Sequence, residues 1–457
     1  AFHAGPAVII SFLIAGIVCG AAVMCYAEFA SMIPVAGSAY TFTYTTVGEI
    51  MAWIIGWDLI LEMLMAGSVI SKYWGVYLND FMRLMGWNAN TNLTFGSFHI
   101  DIAPIIIVAF FTTLLVFGTK IGARVDGAMT VLKIAIVFFV VIVGFFYVKA
   151  SNFTPFIPPS QPASTVEGSS AVTGVMTQPL WQFATGMTPS VYGVPGILSG
   201  AALVFFAFIG FDVVATASEE TKNPHKNVPL GIGVGMLLII VMYMLVAVVT
   251  TGMVSYADLA KQDSPSLATA FELVGADWAA KIISFGIVLG LATVIMVLLL
   301  GLTRIVFAMS RDGLLPRGLS KTGKHGTPAA LQIVVGAVVA LVAAFFDIGV
   351  LSDMVNIGTL SAFTLVAISI PIMRKKRPDL PRAFKMPGSP WIPILIAVAN
   401  FWLMLNLSVL TWIRFVVWLV VGFAIYFGYG YCTVCSQCPN LHFTETLSAE
   451  TDKAVNG

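Results

Sequence analysis

Asp58, Glu62, Lys133 and Asp212 stand inside stretches of this chain that are otherwise apolar. Groups of this kind bind and release protons or hold counter-charges. Placing one in an apolar span costs at least ~2.5–3.5 kcal/mol on insertion scales, so it usually faces a cavity or a partner. Asp212 has the most telling surroundings. It follows Gly210 within residues 196–217, a run long enough to cross a bilayer as a helix of roughly 20 residues. Glycine there lets the backbone leave the helix, which is tolerated only where the freed carbonyls and amides line a site. The run then stops at Glu219-Glu220-Thr221-Lys222-Asn223-Pro224. The spacing therefore predicts a broken helix at a binding site; the plainer alternative is a buried Asp that holds two helices together.

Asp58 and Glu62 are four apart and share one helix face. At a rise of ~1.5 Å per residue from near Met51, Glu62 lies ~16 Å deep, about the middle of a ~30 Å core. Lys133, counted from near Val125, lies ~12 Å deep. The spans leave from the same side, so a Glu62–Lys133 pair is expected, the carboxylate keeping the lysine charged. The alternative is that each faces a separate polar crevice, since helix rotation is not legible in sequence.

Little else reads as chemistry. His3, His99, His225 and His325 have no acid or nucleophile spaced beside them, so no enzyme is expected. Cys432, Cys435, Cys438 and His442 have a spacing that suits a metal, yet a tail with free thiols is the expectation and no metal is assigned. Asn92-Leu93-Thr94 and Asn152-Phe153-Thr154 match the glycosylation sequon, a common chance pattern. Residues 149–195, rich in Ser, Thr, Pro and Gly, read as a long external loop without a site, and residues 264–275 as a short external helix.

The elements that must position these groups are spans. With 457 residues, 58% hydrophobic and 10% charged, the composition is that of an all-α polytopic membrane protein. A net charge of +1 gives no ground for a nucleic-acid partner; the partner is the lipid bilayer. Apolar runs fall near 6–30, 51–78, 102–118, 125–148, 196–217, 229–254, 277–309, 329–346, 350–373, 391–410 and 413–431, eleven in all. Residues 1–431 thus form the transmembrane domain and 432–457 a short tail. Fifteen Lys and Arg fall on one side, among them Arg374, Lys375, Lys376 and Arg377, against six on the other. Positive loops stay inside, which places the C-terminus in the cytoplasm and Ala1 outside.

Five strings carry a family resemblance: CYAEFASMIPVAGSAYTFTYTTVGE (25–49), FFAFIGFDVVATASEETKNP (205–224), FAMSRDGLLP (307–316), NIGTLSAF (356–363) and RPDLPRAFKMPGSPWIP (377–393). In this order they resemble the amino acid/polyamine/organocation transporters, and within them the cationic amino acid transporter family. The resemblance covers roughly residues 5–430. It implies a LeuT-type fold of five-plus-five inverted repeats plus two C-terminal helices, twelve spans in all. The eleven runs would be spans two to twelve, with a glycine-rich first span expected upstream and these residues expected to be a fragment that does not itself bind substrate.

What the resemblance implies about function is import of an amino acid by proton symport in the plasma membrane (the inner membrane of a Gram-negative bacterium), without a cofactor beyond the proton. The protein would act as a monomer or weak oligomer. The substrate's α-amino group would sit on carbonyls freed around Phe206, Ala207 and Ile209 beside Gly210, since a helix C-terminal end favours a cation. Phe205 or Phe206 would close over it, Met296 would line the side-chain pocket and favour small or neutral side chains, and Asp212 would titrate. A lysine at the place of Lys133 stands where sodium-coupled relatives bind a cation. With only Thr293 and Thr303 as hydroxyls nearby in the eighth span, it favours protons over sodium. An obligate exchanger and a non-transporting sensor are the competing classes.

Overall fold

The computed structural model describes residues 3–32, 40, 43–44, 48–87, 91–95, 98–118, 123–163, 174–210, 223–262, 266–323, 327–376, 378, 382 and 384–430. Asp212 and the cysteine tail lie outside the described residues.

Long helices dominate. They are α1 (Val8–Met32), α2 (Glu49–Leu84), α3 (Ile102–Val116), α4 (Ala123–Phe145), α6 (Gly193–Val204), α7 (Pro224–Met253), α10 (Asp277–Arg311), α11 (Ala329–Phe345), α12 (Ile348–Lys376), α13 (Trp391–Leu405) and α14 (Val409–Ile425). Each falls on one of the eleven apolar runs, α6 on only the first part (196–204) of the run at 196–217. Among the described residues, seven segments built on them are long and apolar enough to cross a membrane, and four are shorter apolar helices of 10–17 residues, among them the stretch Gly193–Phe208. The fold is all-α and polytopic. Its strands are short: β1 (Asn92–Phe95) pairs with β2 (Phe98–Asp101), and β3 (Gln161–Pro162) with β4 (Ser190–Val191), both antiparallel.

Among the described residues, the segments expected to be external are more ordered than their composition predicts. Between α4 and α6 the chain forms a 3-10 turn (Ala150–Phe153), the β3–β4 pair and α5 (Leu180–Thr185). It is pinned to α14, with Leu410 N donating to the Met176 carbonyl (2.8 Å) and Val409 N to the Gln178 carbonyl (3.1 Å). After α7 come α8 (Tyr256–Ala260) and α9 (Leu267–Leu273), the latter opened by a reciprocal capping box between Ser266 and Thr269.

Packing sorts the helices into two groups. α2 and α10 make the broadest contact, and α3 and α11 pack on both and on each other. α1 instead packs along α7 and α6. α12 lies against α2 and α13 and also touches α1 and α6, so it joins the groups. Buried aromatics fix α14 to α2. Trp57 and Trp418 stack with centroids 4.4 Å apart and exchange indole-to-carbonyl hydrogen bonds of 2.8 and 3.3 Å. Glycine is required beneath them, because a Cβ at Gly422 would stand 2.4 Å from the Trp57 Nε1.

Candidate functional site

α6 stops after twelve residues, at Val204. Phe205–Phe208 tighten into a 3-10 turn, Ile209 is extended (φ −71°, ψ 146°) and Gly210 takes φ +119°, a conformation that L side chains rarely adopt. The break therefore lies just before Asp212. A helix end leaves carbonyls without intrahelical donors, and each needs another partner. Three receive one. The Phe206 carbonyl accepts from Ile209 N (3.3 Å), the Ala207 carbonyl from the Tyr243 hydroxyl of α7 (2.7 Å), and the Phe208 carbonyl from the Cys19 thiol of α1 (3.8 Å). The Ile209 carbonyl accepts none of the described hydrogen bonds. Of the three carbonyls expected to hold an amino group, two thus already carry one donor each, and either can accept a second through its other lone pair.

An aromatic cluster encloses the turn. Phe208 meets Tyr243 edge-on at 5.2 Å and Phe12 at 6.3 Å, while the fully buried Phe205 meets Phe363 of α12 at 5.8 Å. Phe206, Ile209 and Gly210 keep partial exposure, so of the two phenylalanines Phe206 is the one at the open side. Asn356 of α12 reaches the last turn of α6, its Nδ2 3.4 Å from the Leu203 carbonyl.

The charged residues stand on the other group of helices. Asp58 and Glu62 are both fully buried on α2. The Ser361 hydroxyl of α12 donates to Asp58 Oδ2 (2.7 Å), and Asp58 Oδ1 has no hydrogen-bond partner among the described residues. Lys133 is half-buried on α4 with its aliphatic stem against α10, where a Cβ at Gly290 would come 3.3 Å from its Cγ. Among the described residues α10 packs broadly on both α2 and α4, which bear little directly on each other. Met296 is buried on α10, in the same continuous core as Phe205 and Phe208. In the middle of α10 two hydroxyls turn back on their own helix, Thr293 to the Gly290 carbonyl (3.0 Å) and Thr303 to the Leu299 carbonyl (2.8 Å).

Both ends of the bundle are tied by charge. At the Lys/Arg-rich end, Glu28 of α1 is fully buried and accepts from Arg374 of α12 at 2.9 and 2.6 Å and from Met386 N at 2.7 Å; Arg374 also donates to the Met386 carbonyl at 2.8 Å. At the opposite end Arg83 of α2 forks onto both oxygens of Glu272 in α9 (2.9 and 2.8 Å). Sequence reasoning missed Tyr243, Asn356, Ser361, Cys19 and this Glu28 clamp. Tyr243 and Cys19 stand in apolar runs, while Glu28, Asn356 and Ser361 fall in the strings at 25–49 and 356–363 that carry the family resemblance, which does not say what each meets.

The arrangement offers backbone acceptors and aromatic walls at one helix break, with buried carboxylates on a neighbouring continuous helix. The family model described as amino acid permease matches residues 1–430. The chain is similar to the branched-chain amino acid permease BcaP of Bacillus subtilis, 43% identical over 437 residues, covering 94% of this chain and 87% of that protein. It is 39% identical to the methylthioribose transporter of the same organism over 432 residues, 93% of this chain and 86% of that protein. Cationic amino acid transporter 3, mitochondrial, of Arabidopsis thaliana is 37% identical over 379 residues, 81% of this chain but 57% of its own length.

Proposed function

Since the chain belongs to the amino acid permease family, and is a multi-pass membrane transporter and not an enzyme, we propose that it imports a neutral, aliphatic amino acid together with a proton, by alternating access across the plasma membrane. The observation that carries this reading is the break in α6, where an unwound Phe205–Gly210 meets aromatic side chains from α1, α7 and α12. Half-helix ends of this kind bind the charged groups of a zwitterion, the C-terminal end of α6 favouring the ammonium.

Two features support a neutral side chain. Met296 is an apolar, adaptable wall, and a relative that matches most of this chain is named for branched-chain amino acids. Buried Asp58 and Glu62 on α2, together with Lys133, support proton coupling, because carboxylates inside a span are the usual proton relays. Asp212 follows the break by two residues and is assigned the titrating role. Self-directed hydroxyls at Thr293 and Thr303 leave few oxygens for sodium in the middle of α10.

The test is uptake of labelled leucine by the purified full-length protein in liposomes, with an imposed pH gradient, against arginine, alanine and methylthioribose as competitors. Leucine accumulation that follows the pH gradient and disappears in Asp212→Asn is expected. Counterflow with no response to the gradient would identify an exchanger instead. Preference for arginine would move the chain to the cationic class. In the same assay Met296→Ser is expected to raise arginine competition relative to leucine several-fold, since selectivity is a difference of affinities. An unchanged ratio takes Met296 off the pocket wall.

A further inference from the structure

Asn356 is fully buried on α12, the helix that bridges the two packing groups. Its partner fixes which way its amide points. The Leu203 carbonyl can only accept, so the nitrogen faces it at 3.4 Å and the oxygen is turned the other way. That oxygen, Oδ1, is enclosed and has no hydrogen-bond partner among the described residues. Helix carbonyls point along the axis toward the C-terminal end, so the Leu203 carbonyl meets Asn356 at about the level of Phe206 and Ala207, where α6 has become the 3-10 turn.

Three carbonyls of the neighbouring turn already have donors, and that of Ile209 has none among the described residues. Donors come to Phe206 from Ile209 N, to Ala207 from Tyr243 and to Phe208 from Cys19. A buried acceptor with no donor, next to a helix break, calls for a ligand that brings hydrogen-bond donors. An ammonium brings three and accepts nothing. We propose that Asn356 Oδ1 accepts an N–H of the substrate's α-ammonium group, beside the Ile209 carbonyl, when the Phe205–Phe208 turn shifts to admit it. The assignment rests on the amino acid transporter reading and adds to it a binding residue outside the broken span. It also separates two duties. A neutral amide oxygen holds the ammonium without titrating, so the group that grips the substrate would not itself have to carry the coupled proton.

The experiment compares competition by leucine with competition by 4-methylpentanoic acid, the same molecule without its amino group, in proteoliposomes of the full chain. The variants are Asn356→Leu, of similar size but apolar, and Asn356→Asp, which keeps an acceptor oxygen. Wild type is expected to favour leucine strongly, Asn356→Leu to lose at least tenfold of that preference, and Asn356→Asp to keep it. A merely structural Asn356 would lower expression or thermal stability without moving the ratio. If Asn356→Leu does not fold, Asn356→Ser, with a shorter oxygen that cannot span to both groups, is expected to lose preference as well. Wild-type preference retained in folded Asn356→Leu or Asn356→Ser overturns this assignment alone. No leucine uptake by wild type overturns the transporter reading, and this one with it.

Discussion

α2 and α6 stand in one bundle and solve opposite problems. α2 is unbroken for 36 residues and largely buried, and the polar groups it contributes to the interior are side chains, among them Asp58 and Glu62. α6 is helical for only twelve, and what it offers is backbone: carbonyls at Leu203, Ala207 and Phe208 that take donors from other helices, and that of Ile209, ahead of a glycine at φ +119°. A continuous helix satisfies its own main chain, so charge has to come from side chains. A broken one exposes main-chain dipoles that bind charge without titrating. On the proposed reading, main chain at the break would hold the substrate's ammonium, and protons would be handled by side chains on α2 and by Asp212 just after the break.

The comparison breaks most sharply if the charges of the α2 group are removed. Glu62→Gln and Lys133→Met are each expected to stop gradient-driven uptake and to lower stability by ~3–5 kcal/mol where an uncompensated charge is left behind. If the two pair, the double change costs less than the sum. Thermal unfolding of the four purified proteins measures this, and clean additivity would place the two charges apart.

A smaller effect is expected at the break. A Cβ at Gly210 meets no atom of the described residues within 4 Å, so Gly210→Ala chiefly tests backbone conformation. The φ of +119° makes an alanine there strained by about 1–3 kcal/mol. Substrate affinity is expected to fall roughly tenfold, since ~1.4 kcal/mol is a factor of ten, while proton-linked behaviour of the α2 carboxylates is retained. Unaltered leucine affinity would mean that the break does not form the binding surface.

The smallest change sharpens the same point. Tyr243→Phe removes the donor to the Ala207 carbonyl and keeps the ring edge-on against Phe208. A hydrogen bond of this type contributes about 0.5–1.5 kcal/mol. The expected result is a several-fold rise in KM with kcat little altered. A fall in kcat with KM unchanged would assign Tyr243 to the transport cycle and not to holding the turn.

Part of the site is legible in the residues alone. Gly210 ahead of Asp212 marks the break, because no other residue type combines an apolar span with that backbone freedom. Asp58, Glu62 and Lys133 announce themselves because charge in a span has few bland explanations. Tyr243 sits in the apolar run IIVMYMLVAVV, and Asn356 at the head of NIGTLSAF. One polar group in such a run says that a partner exists and nothing about which. The donors to the Ala207 and Leu203 carbonyls lie 36 and 153 residues away along the chain.

The sequence by itself determined the all-α class, the eleven apolar helices and the place where one of them fails. Those properties are sums over neighbouring residues: hydropathy over about twenty positions, and backbone freedom at one. Tertiary structure alone decided that α12 joins the two helix groups, that Arg374 closes on Glu28 across 346 positions, and that Asn356 turns its nitrogen to Leu203 and its oxygen away. Rotation about each helix axis selects which polar groups meet. That rotation is set by packing against other helices, so it is a property of the assembled bundle and not of any one span.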